Sequence, residues 1–281
     1  MDTVRSSWPL LVFTTIAPLA AGAWALVAAL ALFDVFPGAA ALTVGGFGLL
    51  LCLLFAASLA CSVLHLGRPT KAFRALRRLG NSSVSNEVFV GGLFAMLALI
   101  YVVVAEGLMA AGDVWKMLLG LIAGCAVVFV LFQCLAYRMR TVPTWNSPAF
   151  ALEFAAIALL GGVCLVGAFV PFGPAVPDGV RWVLLGLEAV CCGVMLLVAT
   201  AQDATVAALP LDRDARAWRG RWGVARVLAL VAGSGLWIAG MAAPAPIPEL
   251  LVLGTVVVVV GIAVGRALFY GSYINVGLPQ A

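Results

Sequence analysis

Of the chain's 281 residues, 64% are hydrophobic and 10% charged, a balance that excludes a soluble globular domain. The apolar residues fall in long blocks, which reads as a polytopic membrane protein rather than a large-cored globule. The net charge is +4, and the single histidine, His65, rules out a bis-histidine haem or a multi-histidine metal site.

Eight apolar blocks follow one another, at about 9–33, 39–65, 88–111, 114–137, 149–170, 180–202, 223–243 and 249–270. Each is long enough to cross ~30 Å of hydrocarbon at ~1.5 Å per residue. The first exceeds a signal-peptide core and has only Arg5 ahead of it, so it reads as an uncleaved first helix. No loop is long enough to fold as a soluble domain. The expected fold is therefore an all-α integral membrane protein, with residues 1–281 forming one polytopic domain of eight transmembrane helices.

The second span ends at His65, which opens a polar segment running to Glu87 and carrying Arg68, Lys71, Arg74, Arg77 and Arg78. Asn81 to Asn86 is dense in helix-capping residues, and Glu87 is expected in the first turn of the third span. There a carboxylate complements the helix N-terminus by ~0.3–1 kcal/mol, while His65 alone reads as an interfacial imidazole. Together they carry more. Spans two and three run in opposite directions, so the loop between them can bring His65 and Glu87 to one pocket at one bilayer surface. A carboxylate and an imidazole suit a quinol, whose two hydroxyl protons must leave with its two electrons. Either group can act as general base, and an imidazole N–H can hold a quinone oxygen.

Cys52, Cys61, Cys125, Cys134, Cys164, Cys191 and Cys192 all fall within spans and form no CxxC pair. They read as packing residues, with no iron–sulfur cluster or zinc housed here. Ser147–Pro148 looks like an N-cap followed by Pro at N1 of span five. Within the spans, Glu153 and Glu188 each need a reason to be there: a proton relay, or pairing with Arg226 or Arg266. Glu106 and Asp203 lie near helix ends and read as solvated. Trp8, Trp115, Trp145, Trp182, Trp218 and Trp222 lie near span ends, as an aromatic belt requires. Tyr101 and Tyr137 read as helix packing.

Of the sixteen Lys and Arg, all but Lys116 and Arg181 fall on the side of the termini and the loops after spans two, four and six. The positive-inside rule places that side in the cytoplasm. Docking of a partner on a basic face would produce the same asymmetry. The long basic loops after spans two and six suggest two four-helix bundles, although no internal sequence repeat supports the division.

The order of these elements resembles the membrane-anchor subunit of dimethyl sulfoxide reductase, the DmsC type. Three stretches carry the likeness: His65-Leu66-Gly67-Arg68-Pro69 continuing through Arg74-Ala75-Leu76 to Ser82–Glu87; Tyr137 with Thr141–Pro148; and Gly265–Tyr270. Where the family usually reads Ser-Trp-Leu-Ser-Arg-Glu, residues 82–87 read Ser-Ser-Val-Ser-Asn-Glu and keep the glutamate. The resemblance implies an anchor that binds and oxidises menaquinol. Electrons would pass to a four-cluster iron–sulfur subunit and on to a molybdopterin catalytic subunit, with no haem or iron–sulfur cluster in this chain. It also implies a multi-pass location in a prokaryotic cell membrane, with a quinol site at His65 and Glu87 and no nucleic-acid partner. In many such complexes the catalytic subunit works outside the cytoplasm, which would turn the basic loops outward, against the charge rule. Other readings are a polysulfide- or nitrite-reductase-type quinone subunit, a multi-span transporter, and a passive anchor that has lost its quinone site.

Overall fold

A computed structural model describes residues 7–36, 38–43, 46–64, 77–110, 113–139, 142, 145–208 and 213–271; within these, the side chains of 106, 108–110 and 213–215 are not described. The described residues form nine α-helices: α1 (Trp8–Leu32), the short α2 (Ala39–Thr43), α3 (Gly46–Leu64), α4 (Ser83–Ala110), α5 (Val114–Ala136), α6 (Pro148–Phe169), α7 (Asp178–Ala207), α8 (Arg213–Ala242) and α9 (Pro248–Gly271). All but α2 are long and apolar enough to cross a membrane, giving the eight expected spans.

The boundaries differ from the hydropathy blocks in an instructive way. The second block divides into α2 and α3, while α4 begins at Ser83 and α8 at Arg213, well before their apolar cores. Hydropathy finds the lipid-facing part of a helix and misses polar turns that project past it. At the start of α4, Ser82 Oγ accepts from the Ser85 N–H at 3.4 Å, and Asn86 Oδ1 accepts from the Gly80 N–H at 2.8 Å, with Gly80 at φ +79°. Glu87 therefore stands in the second turn of α4, not the first, and the cap is made by Ser82. At α6 the expected cap is present: Ser147 is extended, its Oγ accepts from the Ala149 N–H at 3.3 Å, and Pro148 follows at N1.

Neighbouring helices divide the molecule into two rings of four. In the first, α1 packs on α3, α3 on α4, α4 on α5 and α5 on α1; in the second, α6 packs on α7, α7 on α8, α8 on α9 and α9 on α6. The two four-helix bundles meet chiefly along α1 and α6, the two most buried spans. Small residues set that seam. A Cβ on Gly22 would run into the Ala158 carbonyl, and one on Gly162 would come within 2.6 Å of the Gly22 backbone. This is the close backbone approach that small residues permit between membrane helices, where packing replaces the hydrophobic effect as the driving force.

Outward-facing positions are apolar, among them Leu53, Val103, Met117, Leu197 and Leu228. Trp8, Trp182 and Trp222 are exposed as a belt requires, whereas Trp145 is buried and belongs to the interior. At the end opposite the basic loops, Arg181 donates to the Met241 carbonyl at 2.7 Å and to that of Ala243, placing a cation on the C-terminus of α8.

Candidate functional site

Polar side chains gather at the end of the bundles that carries the N-terminus and the basic loops. Glu87 of α4 is buried, and its Oε1 has no hydrogen-bond partner. Gln133 of the adjacent helix α5 is fully buried, and neither its amide oxygen nor its amide nitrogen has a partner. Gln133 is the side-chain hydrogen-bonding neighbour of the Glu87 carboxyl, yet the geometry leaves Glu87 Oε1 and both Gln133 amide atoms without a closed bond. A buried unsatisfied polar group costs about 1–3 kcal/mol, so an acceptor, a donor and a further acceptor left open together need an explanation.

Tyr137, one turn beyond Gln133, also senses the Glu87 charge. It takes a hydrogen bond from the Tyr270 hydroxyl at 3.3 Å, and Tyr270 lies 3.3 Å from Thr14 Oγ1. Pro18 lacks the N–H that would bond the Thr14 carbonyl, which locally opens the α1 ladder beside this contact. Arg266 Nε donates to Thr14 Oγ1 at 3.2 Å, and its Nη1 to Glu153 Oε2 at 2.7 Å. Arg226 donates to the other Glu153 oxygen at 3.2 Å and to Gln202 Oε1 at 2.8 Å. The polar network thus runs from α5 through α9 and α1 to α6, α8 and α7.

Both arginines and Glu153 are buried, a geometry tolerable only because each charge is paired and hydrogen-bonded. Arg266 is also boxed by aromatic rings, its guanidinium carbon 4.0 Å from the Phe269 centroid and 4.2 Å from that of Phe154. Trp145 stacks on Phe269 with centroids 4.6 Å apart and planes at 12°, and its Nε1 donates to the Phe269 carbonyl at 3.2 Å. Gly265 makes room for the ion pairs, since a Cβ there would stand 2.9 Å from Arg226 Nε.

Of the intramembrane carboxylates, Glu153 has both expected arginine partners and Glu188 has neither. Glu188 is fully buried, accepts from Ser234 Oγ at 2.7 Å, and lies 3.4 Å from the Cys164 thiol. Asp203 is exposed, as expected, and also pairs with Arg219 at 3.0 Å. His65 lies outside the described residues, as does the Glu106 side chain. The helix that leads to His65, α3, ends at Leu64 and packs on α4, which begins at Ser83. Gln133 does not stand out in the sequence, and Tyr270 is marked there only as the last residue of the Gly265–Tyr270 stretch. A lone amide in an otherwise apolar stretch of α5 is the signal available for Gln133.

These features define a multi-pass membrane subunit of two four-helix bundles, with a buried polar network at one end. A family model described as the DMSO reductase anchor subunit (DmsC) matches residues 1–272. The protein belongs to that family. It is 31% identical over 287 residues to YnfH, an anaerobic dimethyl sulfoxide reductase subunit of Escherichia coli K12, covering 98% of this sequence and 97% of the relative. A second anaerobic dimethyl sulfoxide reductase subunit of the same organism, designated C, is 31% identical over 293 residues, with the same coverage. The subunit of that designation from Haemophilus influenzae is 32% identical over 168 residues, 59% of each sequence.

Proposed function

We propose that this anchor binds menaquinol at the basic end of its first bundle and oxidises it for a molybdopterin oxidoreductase complex. The observation that carries this reading is the open polar set formed by the Glu87 carboxyl and the Gln133 amide. A phenolic hydroxyl fits it: the O–H donates to Glu87 Oε1, and the hydroxyl oxygen accepts from the Gln133 amide nitrogen.

Oxidation of one quinol releases two electrons and two protons and leaves a quinone. Glu87 takes one hydroxyl proton as general base, and His65 serves the second hydroxyl; both protons then pass to water at the basic face. The electrons leave to a four-cluster iron–sulfur subunit docked there, and from it to the molybdopterin subunit that reduces the terminal acceptor. The family relation supports association with the other subunits of such a complex, and the anchor has no terminal-acceptor site of its own in this reading.

The test is oxidation of a menaquinol analogue by membranes carrying the intact complex, comparing wild type with Glu87→Gln and His65→Ala. Recovery of the partner subunits and turnover with an artificial donor are followed in parallel. Loss of quinol-driven turnover with assembly and donor-driven turnover retained supports the assignment. Normal quinol oxidation by both variants would overturn it.

A further inference from the structure

We propose that the cleft between the C-terminal turns of α7 and the N-terminal half of α8 is a binding site for one anionic phospholipid, its headgroup at Arg216 and Arg219 and an acyl tail running down α8. The cleft is about 550 Å³ and separate from the Glu87 region. Its wall on α8 is one continuous stripe, from Arg216 and Arg219 through Gly220, Gly223 and Val224 to Val227 and Leu228. The spacing alternates three residues and one, which keeps every member on a single face of the helix.

Chemistry changes along that stripe as it does along a lipid. At the mouth stand two guanidinium groups and one carboxylate, Asp203, which Arg219 Nη2 holds at 3.0 Å. The Arg219 side chain is 10% exposed and also donates to the Leu268 carbonyl at 3.3 Å, so it is a fixed rather than a trailing cation. The two glycines keep the floor open: a Cβ on Gly220 would meet nothing within 4 Å, and one on Gly223 would reach only Asp203 Oδ2, at 3.7 Å. Below them the wall is apolar, and Leu228 is 63% exposed on a helix long and apolar enough to cross the membrane.

Length agrees as well. From Arg216 to Leu228 the helix rises roughly 18 Å, close to the thickness of one leaflet's hydrocarbon. A soluble partner cannot follow the cleft to that depth, and a quinol brings no charge for the guanidinium pair. An anionic phospholipid supplies both a phosphate and a tail of the right reach, and basic pockets between membrane helices hold such headgroups.

The intact complex is transferred into nanodiscs of phosphatidylcholine with a minor fraction of phosphatidylglycerol, then released, and its retained lipids are counted by native mass spectrometry. Wild type is expected to retain phosphatidylglycerol in preference to phosphatidylcholine. Arg216→Gln weakens retention by about fivefold, the share of one interfacial cation. Gly220→Leu, which fills the cleft at a position with room for it, abolishes the preference while the complex remains assembled. Excess inorganic phosphate leaves the bound lipid in place. Equal retention of the two lipids, unchanged retention in both variants, or displacement by phosphate alone would each overturn the proposal.

Discussion

Arg266 Nη1 lies 2.7 Å from Glu153 Oε2, and through this contact α9 is tied to α6 inside the membrane with both charges out of reach of solvent. Arg226 closes on the other carboxylate oxygen from α8. One carboxylate thus answers two guanidinium groups, and the remaining positive charge is spread over the Phe154 and Phe269 faces, Thr14 and Gln202.

Glu153→Ala should be among the most damaging single substitutions in the second bundle. It leaves two buried cations without a counter-charge, and breaking a buried pair by removing one partner costs about 3–5 kcal/mol. Arg226→Met should be milder, because Glu153 keeps Arg266. Membrane accumulation and thermal unfolding of the detergent-purified protein provide the comparison. An Ala variant as stable as wild type would mean that the network adds nothing to stability.

The seam between the bundles gives a steric prediction. Gly162→Leu should separate α1 from α6, because even a Cβ there meets the Gly22 backbone at 2.6 Å, and backbone cannot move aside like a flexible side chain. Gly124→Ala should be harmless, since a Cβ at that position meets nothing within 4 Å. The paired readout is yield of folded protein. Equal losses from the two substitutions would show that glycine removal, rather than seam packing, is responsible.

Gln133 separates a ligand-binding role from a structural one. Its amide has no protein hydrogen bond to lose, so Gln133→Leu should leave stability unchanged or raise it. If the amide holds a quinol hydroxyl, the KM for the quinol analogue should rise about tenfold, the effect of one hydrogen bond of ~1.4 kcal/mol. Turnover with an artificial donor should not change. A variant that loses stability while keeping its KM would move Gln133 from the binding site into the packing.

What the sequence makes legible follows from the range of each interaction. The eight spans and the Ser147–Pro148 start of α6 are readable because hydropathy and capping are local properties. Glu153 can be marked as needing a partner, but its arginines stand 73 and 113 residues away, and the contrast with Glu188 rests on which helices are neighbours. Trp145 near a span end reads as a belt residue, yet it turns inward to stack on Phe269, 124 residues distant along the sequence. Glu87 stands out as a candidate base from its charge and its place beside the basic loop. That its first-turn role passes to Ser82, leaving Oε1 open, is visible only once the helix start is fixed by three-dimensional contacts.

Glu188 is the remaining intramembrane carboxyl, and its surroundings argue for structure over proton movement. Its contacts are the Ser234 hydroxyl and the Cys164 thiol, and among the described residues no hydrogen bond joins it to the network running from Tyr137 to Gln202. Glu188→Gln keeps an oxygen that can accept from Ser234, so stability should change by no more than ~1 kcal/mol. Quinol-driven turnover and its dependence on pH should stay as in wild type. Glu188→Leu, which strands the Ser234 hydroxyl, should destabilise the protein without lowering the turnover of the molecules that fold. Parallel turnover measurements on the two variants decide the matter: a fall in Glu188→Gln at unchanged stability would make Glu188 a proton carrier, and the second bundle would then have a part in the chemistry.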